Sequence, residues 1–171
     1  MSLLVRKINR GKWSIGEQPE SVNADAITQC LKTDNNTLSV WKIDSLDDLR
    51  KSILAMAAAN DHLSKIDVVL LTEDQLRKSN IIIEETPGLT PCKDLVTSHR
   101  DLSQLNVRDL DAISSLIADQ IRTNQVHSFS LGKLKIILGD AVNSGALLLD
   151  ELKESVKEKV VRHLEAQAKQ A

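Results

Sequence analysis

The stretch from Lys65 to Gly88 constrains the fold of this chain most strongly. It reads KIDVVLLTEDQLRKSNIIIEETPG, with two apolar runs, Ile66 to Leu71 and Ile81 to Ile83, on either side of a polar segment. Val68, Val69, Leu70 and Leu71 are consecutive, so both faces of that segment are apolar. A half-exposed strand would alternate, whereas a strand covered on both sides would not. The run is too short to be a helix by itself. It is therefore read as a central strand, with Val69 and Leu70 both in the core. Thr72 can cap a following turn, Glu73 and Asp74 suit a helix N-terminus, and Asn80 suits a left-handed C-cap. Ile81 to Ile83 reads as the next strand, closed by Pro87-Gly88.

Other segments supply the rest of an alternating pattern. Leu3 to Ile8 reads as a strand near an edge, because Arg6, Lys7, Arg10 and Lys12 would blunt one. Gly11 to Glu20 is glycine- and proline-containing and reads as a loop, with Trp13 either a contact residue or a lid folded onto the core. Ser21 or Asn23 can cap a helix to about Lys32. Thr37 to Ile43 alternates as a strand does. Asp44-Ser45-Leu46-Asp47-Asp48 starts a helix whose buried stripe is Leu46, Leu49, Ile53, Met56 and Ala57. Strand–helix alternation of this kind predicts an α/β (or α+β) fold: a small mixed sheet of about four strands, some of them parallel, with packed helices. The link from Thr72 to Asn80 is short for a parallel crossover, so the fourth strand can instead pair antiparallel.

The texture changes at Leu89. Residues 89–105 carry Pro91 and no clear period, and read as a surface loop after an α/β core over 1–88. Residues 106–171 read as a helical part packed on that core, the whole forming one domain. Asn106 caps a helix with Val107, Leu110, Ile113, Ile117 and Ile121 on one face. Ser130 can cap another, although a strand at Lys135 to Leu138 is the alternative. The last helix, about Leu147 to Gln167, repeats Leu152, Val156, Val160 and Leu164 every four residues. Its first half is expected to dock on the core, while Val160 and Leu164 stay partly available to a partner or a second copy.

Function is far less legible. The 171 residues carry a formal net charge of -2 and only 2% aromatics. That balance argues against nucleic acid as a partner, which calls for basic surface and stacking rings. No apolar run approaches the roughly 20 residues of a membrane span, and no signal peptide is apparent. Cys30 and Cys92 form no CxxC pair and read as reduced thiols of a cytoplasmic protein. The four histidines lie at no metal-ligand spacing, and no glycine-rich loop follows a strand, so neither a metal nor another cofactor is expected.

Two constellations remain. His99-Arg100-Asp101-Leu102-Ser103-Gln104-Leu105-Asn106 matches the H-R-D-L-x-x-x-N string of a kinase catalytic loop, but no other kinase element accompanies it. The plainer reading is a polar turn with Asn106 as a helix cap. The expected strand ends carry Asp44, Glu73 and Asp74, an acidic rim that His62 or His99 could join in hydrolase-like chemistry. Helix starts recruit the same carboxylates without any catalysis. The leading expectation is a non-catalytic protein-interaction module: an adaptor, inhibitor, antitoxin-like or immunity-like partner. Its contacts would involve Trp13, Val160 and Leu164, with another protein or itself as a homodimer. The hydrolase-like enzyme is the alternative.

Overall fold

The structure, a computed structural model, describes residues 2–13 and 22–169. The loop expected through Glu20 is outside the described residues from Ser14 onward, as is the Ser21 cap. Six strands form one sheet in the order β4-β5-β2-β1-β3-β6. They are β1 (Leu3–Ile8), β2 (Leu38–Ile43), β3 (Ile66–Thr72), β4 (Ile82–Glu85), β5 (His99–Ser103) and β6 (His127–Phe129). The helices are α1 (Ala24–Cys30), α2 (Leu49–Ala59), α3 (Glu73–Lys78), α4 (Val107–Arg122), α5 (Leu131–Asn143) and α6 (Glu154–Ala168).

All five pairings are antiparallel, which corrects the expectation of a mixed sheet of about four strands. Strand–helix alternation suggests parallel pairing, and the doubly apolar run in β3 suggests a strand covered on both sides. The second of these holds. Val68 is buried with α2, α5 and α6 on one face, and Val69 with α1, α3 and α4 on the other. Two-sided burial is common in parallel sheets but requires only helices on both faces. Leu70 departs from expectation and is only half-buried.

Strand positions differ too. β1, read as an edge, lies between β2 and β3, and its ladder with β3 runs unbroken from Leu3↔Thr72 to Ile8↔Asp67. β3 lies between β1 and the short β6 rather than at the centre. The 89–105 segment, expected as a surface loop, contributes β5, which sits inside the sheet between β4 and β2. A buried arginine survives there because it is paired. The buried Arg100 donates to the Thr97 and His99 carbonyls at 2.8 and 2.6 Å and to Glu85 at 2.8 Å. The outer strands β4 and β6 are four and three residues long, and β4 carries Glu84 and Glu85, features that discourage edge pairing.

Helix signals were read more faithfully. Thr72 and Gln75 form a reciprocal capping box, with N–H to side-chain oxygen distances of 3.2 and 3.1 Å, and Asn80 takes φ +60°. Asn106 and Asp109 do the same at the start of α4. Ser130 accepts from the Lys133 N–H at the start of α5, so the strand alternative at 135–138 is not adopted. Leu46 drops out of the expected α2 stripe. It lies in a 3-10 turn and is 59% exposed.

The final helix docks on the core further along than its sequence suggested. Val156 and Val160 are both fully buried, and α5 approaches so closely that a Cβ on Gly139 would lie 3.2 Å from Leu164 Cδ2. Val160 is therefore a core residue, which corrects the expectation that it stays partly available, whereas Leu164 is half-buried and keeps part of its surface. No helix among the described residues is long and apolar enough to cross a membrane.

Replacing Val69 by Asp tests the doubly covered sheet. An unpaired carboxylate at a fully buried site has no partner to compensate its desolvation. Val69→Asp should abolish the cooperative thermal transition followed by circular dichroism, while Leu70→Asp, at a half-buried site, should lower its midpoint without abolishing it.

Candidate functional site

The sheet is split between β1 and β2. These strands pair at Leu3↔Ile43, Leu4↔Lys42 and Val5↔Trp41, and no further. Beyond Val5, β1 continues alongside β3 alone, while the first half of β2 continues alongside β5 alone. A carbonyl left without its ladder partner is free to take another donor. Arg6 supplies one. Its Nη1 donates to the Ser39 carbonyl at 2.7 Å, and its Nη2 to the Cys30 carbonyl at 2.5 Å.

Hollows open at this parting. One, of about 440 Å3, is lined by Lys7, Trp41, Asn60, Leu89, His99 and Asp101 among others. A second, of about 450 Å3, shares Arg6 and Lys7 and adds Gln29, Ser64, Lys65 and Asp67. Burial pushes the Arg6 guanidinium down to about 10. Burial, followed by the neighbouring Arg6 charge, also pushes Lys7 down. At neutral pH, below both the folded and unfolded values of Arg6, its charge costs the fold stability. That cost is relieved as pH rises above about 10. An anion at the site would relieve it at neutral pH.

On the opposite wall, His99 Nδ1 lies 2.9 Å from Thr86 Oγ1, and its ring meets the edge of Trp41 at 5.2 Å. Asp101 Oδ1 accepts from Ser39 Oγ at 3.4 Å and lies 4.0 Å from His99 Nε2. Serine, aspartate and histidine are thus connected, but the carboxylate stands in the middle. A nucleophilic serine needs the imidazole next to it to take its proton. The kinase-like string dissolves for a similar reason. His99 to Ser103 is a strand, and Asn106 is occupied in accepting the Arg108 and Asp109 N–H groups.

The acidic rim does not assemble into one crevice. The alternating antiparallel order runs β2, β3 and β4 in one direction with β1 or β5 between them. Their ends are consequently at least about two strand spacings, or 10 Å, apart. Asp44 borders a small hollow with Asp48 and Lys51. Asp48 is held below the usual carboxylate range by hydrogen bonds from Lys51 and then Ser45. Glu73 pairs with Arg77 at 3.6 Å, and Asp74 lies in the first turn of α3. His62 is elsewhere, its Nδ1 3.1 Å from Ser155 Oγ. The interaction candidate Trp13 is 2% exposed and donates its indole N–H to Cys30 Sγ at 3.2 Å, so it serves the core. No group of three His, Cys, Asp or Glu residues suited to a metal ion occurs among the described residues.

Sequence reasoning passed over Asn60 and read Arg6 only as a cation blunting an edge strand. The signal for Arg6 was present: Leu4, Arg6 and Ile8 alternate onto one face, which puts a cation on an apolar side. Comparisons with protein-family models, curated protein sequences and solved structures find no match to this chain.

Two variants test this geometry. A Cβ at Gly88 would lie 2.7 Å from Trp41 Cη2 and 2.9 Å from His99 Cβ. Gly88→Ala should therefore cost about 1–3 kcal/mol in urea unfolding, the usual penalty of overpacking. Asp101→Asn should keep the melting temperature within a few degrees, and neither it nor the wild type should transfer phosphate from ATP in a radiolabel assay.

Proposed function

We propose that this protein acts by binding a protein partner and carries no catalysis of its own, in the manner of an adaptor, an inhibitor, or an antitoxin-like or immunity-like partner. The observation that carries the reading is Leu89, which is 93% exposed on a loop that is firmly tied down. The Gly88 N–H donates to the Val96 carbonyl at 2.9 Å, and Thr90 Oγ1 donates to the Ala55 carbonyl at 3.0 Å. Gly88 itself fits closely against Trp41 and His99.

A leucine held in water on an anchored loop forgoes roughly 1.5–3 kcal/mol of burial, which a partner can recover. Leu148, 57% exposed, continues this surface through hollows that share Pro91 and Glu151. The loop also forms one rim of the hollow at the sheet's parting. The separation of Asp44, Glu73, Asp74, His62 and His99 further supports binding over hydrolysis. The proposal places the protein in the cytoplasm. Cys30 and Cys92 are buried in clusters on opposite faces of the sheet, an arrangement in which they cannot pair.

Leu89→Asp separates this role from folding. It should leave the melting temperature unchanged and release a partner that the wild-type protein retains in affinity capture from the source cells. Hydrolysis of generic ester, phosphate or peptide substrates by the wild type, lost in His99→Gln or Asp44→Asn, would refute the non-catalytic reading.

A further inference from the structure

We propose that Arg6 and Lys7, at the parting of β1 and β2, bind the phosphoryl group of a small phosphomonoester whose polar body occupies the adjoining cavity beside Gln29, Ser64 and Lys65. This goes beyond the protein-partner reading and uses a different surface.

Charge balance is the first argument. Neither Arg6 nor Lys7 has a carboxylate partner among the described residues. Lys65, the third cation at this cavity, is already paired with Asp67 at 2.9 Å. Asp67 also accepts from Ser128 Oγ at 2.5 Å, so Oδ1 of the one carboxylate lining the cavity already has two donors. Arg6 and Lys7 leave the strand on opposite faces, yet both border this cavity and the Arg6 charge is close enough to depress Lys7; two uncompensated cations there match a dianion, whereas a single carboxylate would leave one of them unpaired.

Unfilled donors are the second. Arg6 Nε and Asn60 Nδ2 are buried with no hydrogen-bond partner. Lys7 Nζ makes one long bond, to Asn60 Oδ1 at 3.4 Å. Buried donors of this kind ordinarily have acceptors, and a phosphoryl group brings several at once. The depressed proton affinities of Arg6 and Lys7 agree, since a bound anion would raise both. Size is the third. A cavity of about 450 Å3 lies in the range that holds small ligands, and its Gln29 and Ser64 walls suit a hydroxylated body.

The test titrates the full chain with inorganic phosphate and with glycerol 3-phosphate at fixed ionic strength, read by calorimetry and melting temperature. Sodium chloride and succinate serve as controls. Removing Arg6 would also break its bonds to Ser39 and Cys30, so the variants are Lys7→Gln, at an exposed side chain, and Asn60→Asp, which places a competing carboxylate beside Lys7. Phosphate should raise the melting temperature saturably, and glycerol 3-phosphate should bind more tightly. Both variants should fold and bind at least about tenfold more weakly, as expected for losing a charge-assisted contact. A melting temperature that responds equally to chloride or succinate, or binding unchanged in both variants, would overturn the assignment.

Discussion

The ladder between β1 and β3 bears the rest of the sheet. All six residues of β1, Leu3 to Ile8, pair with β3 without interruption. Leu4, Val5, Val68 and Val69 are completely buried along it. Because β1 also takes β2 on its other side over Leu3 to Val5, it joins the two halves of the sheet. Where that second ladder stops, a carbonyl is free to take another donor. Arg6 is that donor, reaching across the gap to the Ser39 carbonyl. A guanidinium thereby enters the middle of the sheet on the face shared with Leu4 and Ile8, and Lys7 follows it in the strand.

The two helical layers depend on the same arrangement. Residues of β3 alternate between a cluster with α2, α5 and α6 and one with α1, α3 and α4. Neither layer could be removed without exposing a full apolar face. α5 and α6 meet closely at Gly139 and Leu164, and Arg50 pairs with Asp140 to connect α2 and α5. The C-terminal helices are thus structural members of one face.

Both surfaces assigned a role border the split. The loop carrying Leu89 is anchored on Trp41 and His99, residues that face each other from β2 and β5. Arg6 and Lys7 come from β1 on the other bank. Both proposed binding surfaces lie here, where a sheet that parts does not close its own surface. It leaves hollows, orphaned donors and uncompensated charge where a continuous ladder would leave none.

Local signals in the sequence determined several helix ends and most inward faces of the elements. Thr72 with Gln75, Asn80, Asn106 with Asp109, and Ser130 act through contacts a few residues long, so composition and spacing suffice to read them. The doubly apolar Val68 to Leu71 run likewise dictated that both sides of β3 be covered. Strand order, direction and register belong to the tertiary structure, because pairing joins residues far apart in the chain and leaves no local period. The stretch His99 to Ser103 shows this sharply: its polar letters describe a turn, yet Glu85, Thr86 and nearby carbonyls satisfy His99 and Arg100 inside the sheet. Val160 became core only when α5 was laid against α6. Arg6 was visible as a cation on an apolar face, but its use depended on where the β1–β2 ladder ends. That end point is set by packing of the whole sheet, and no short stretch of sequence contains it.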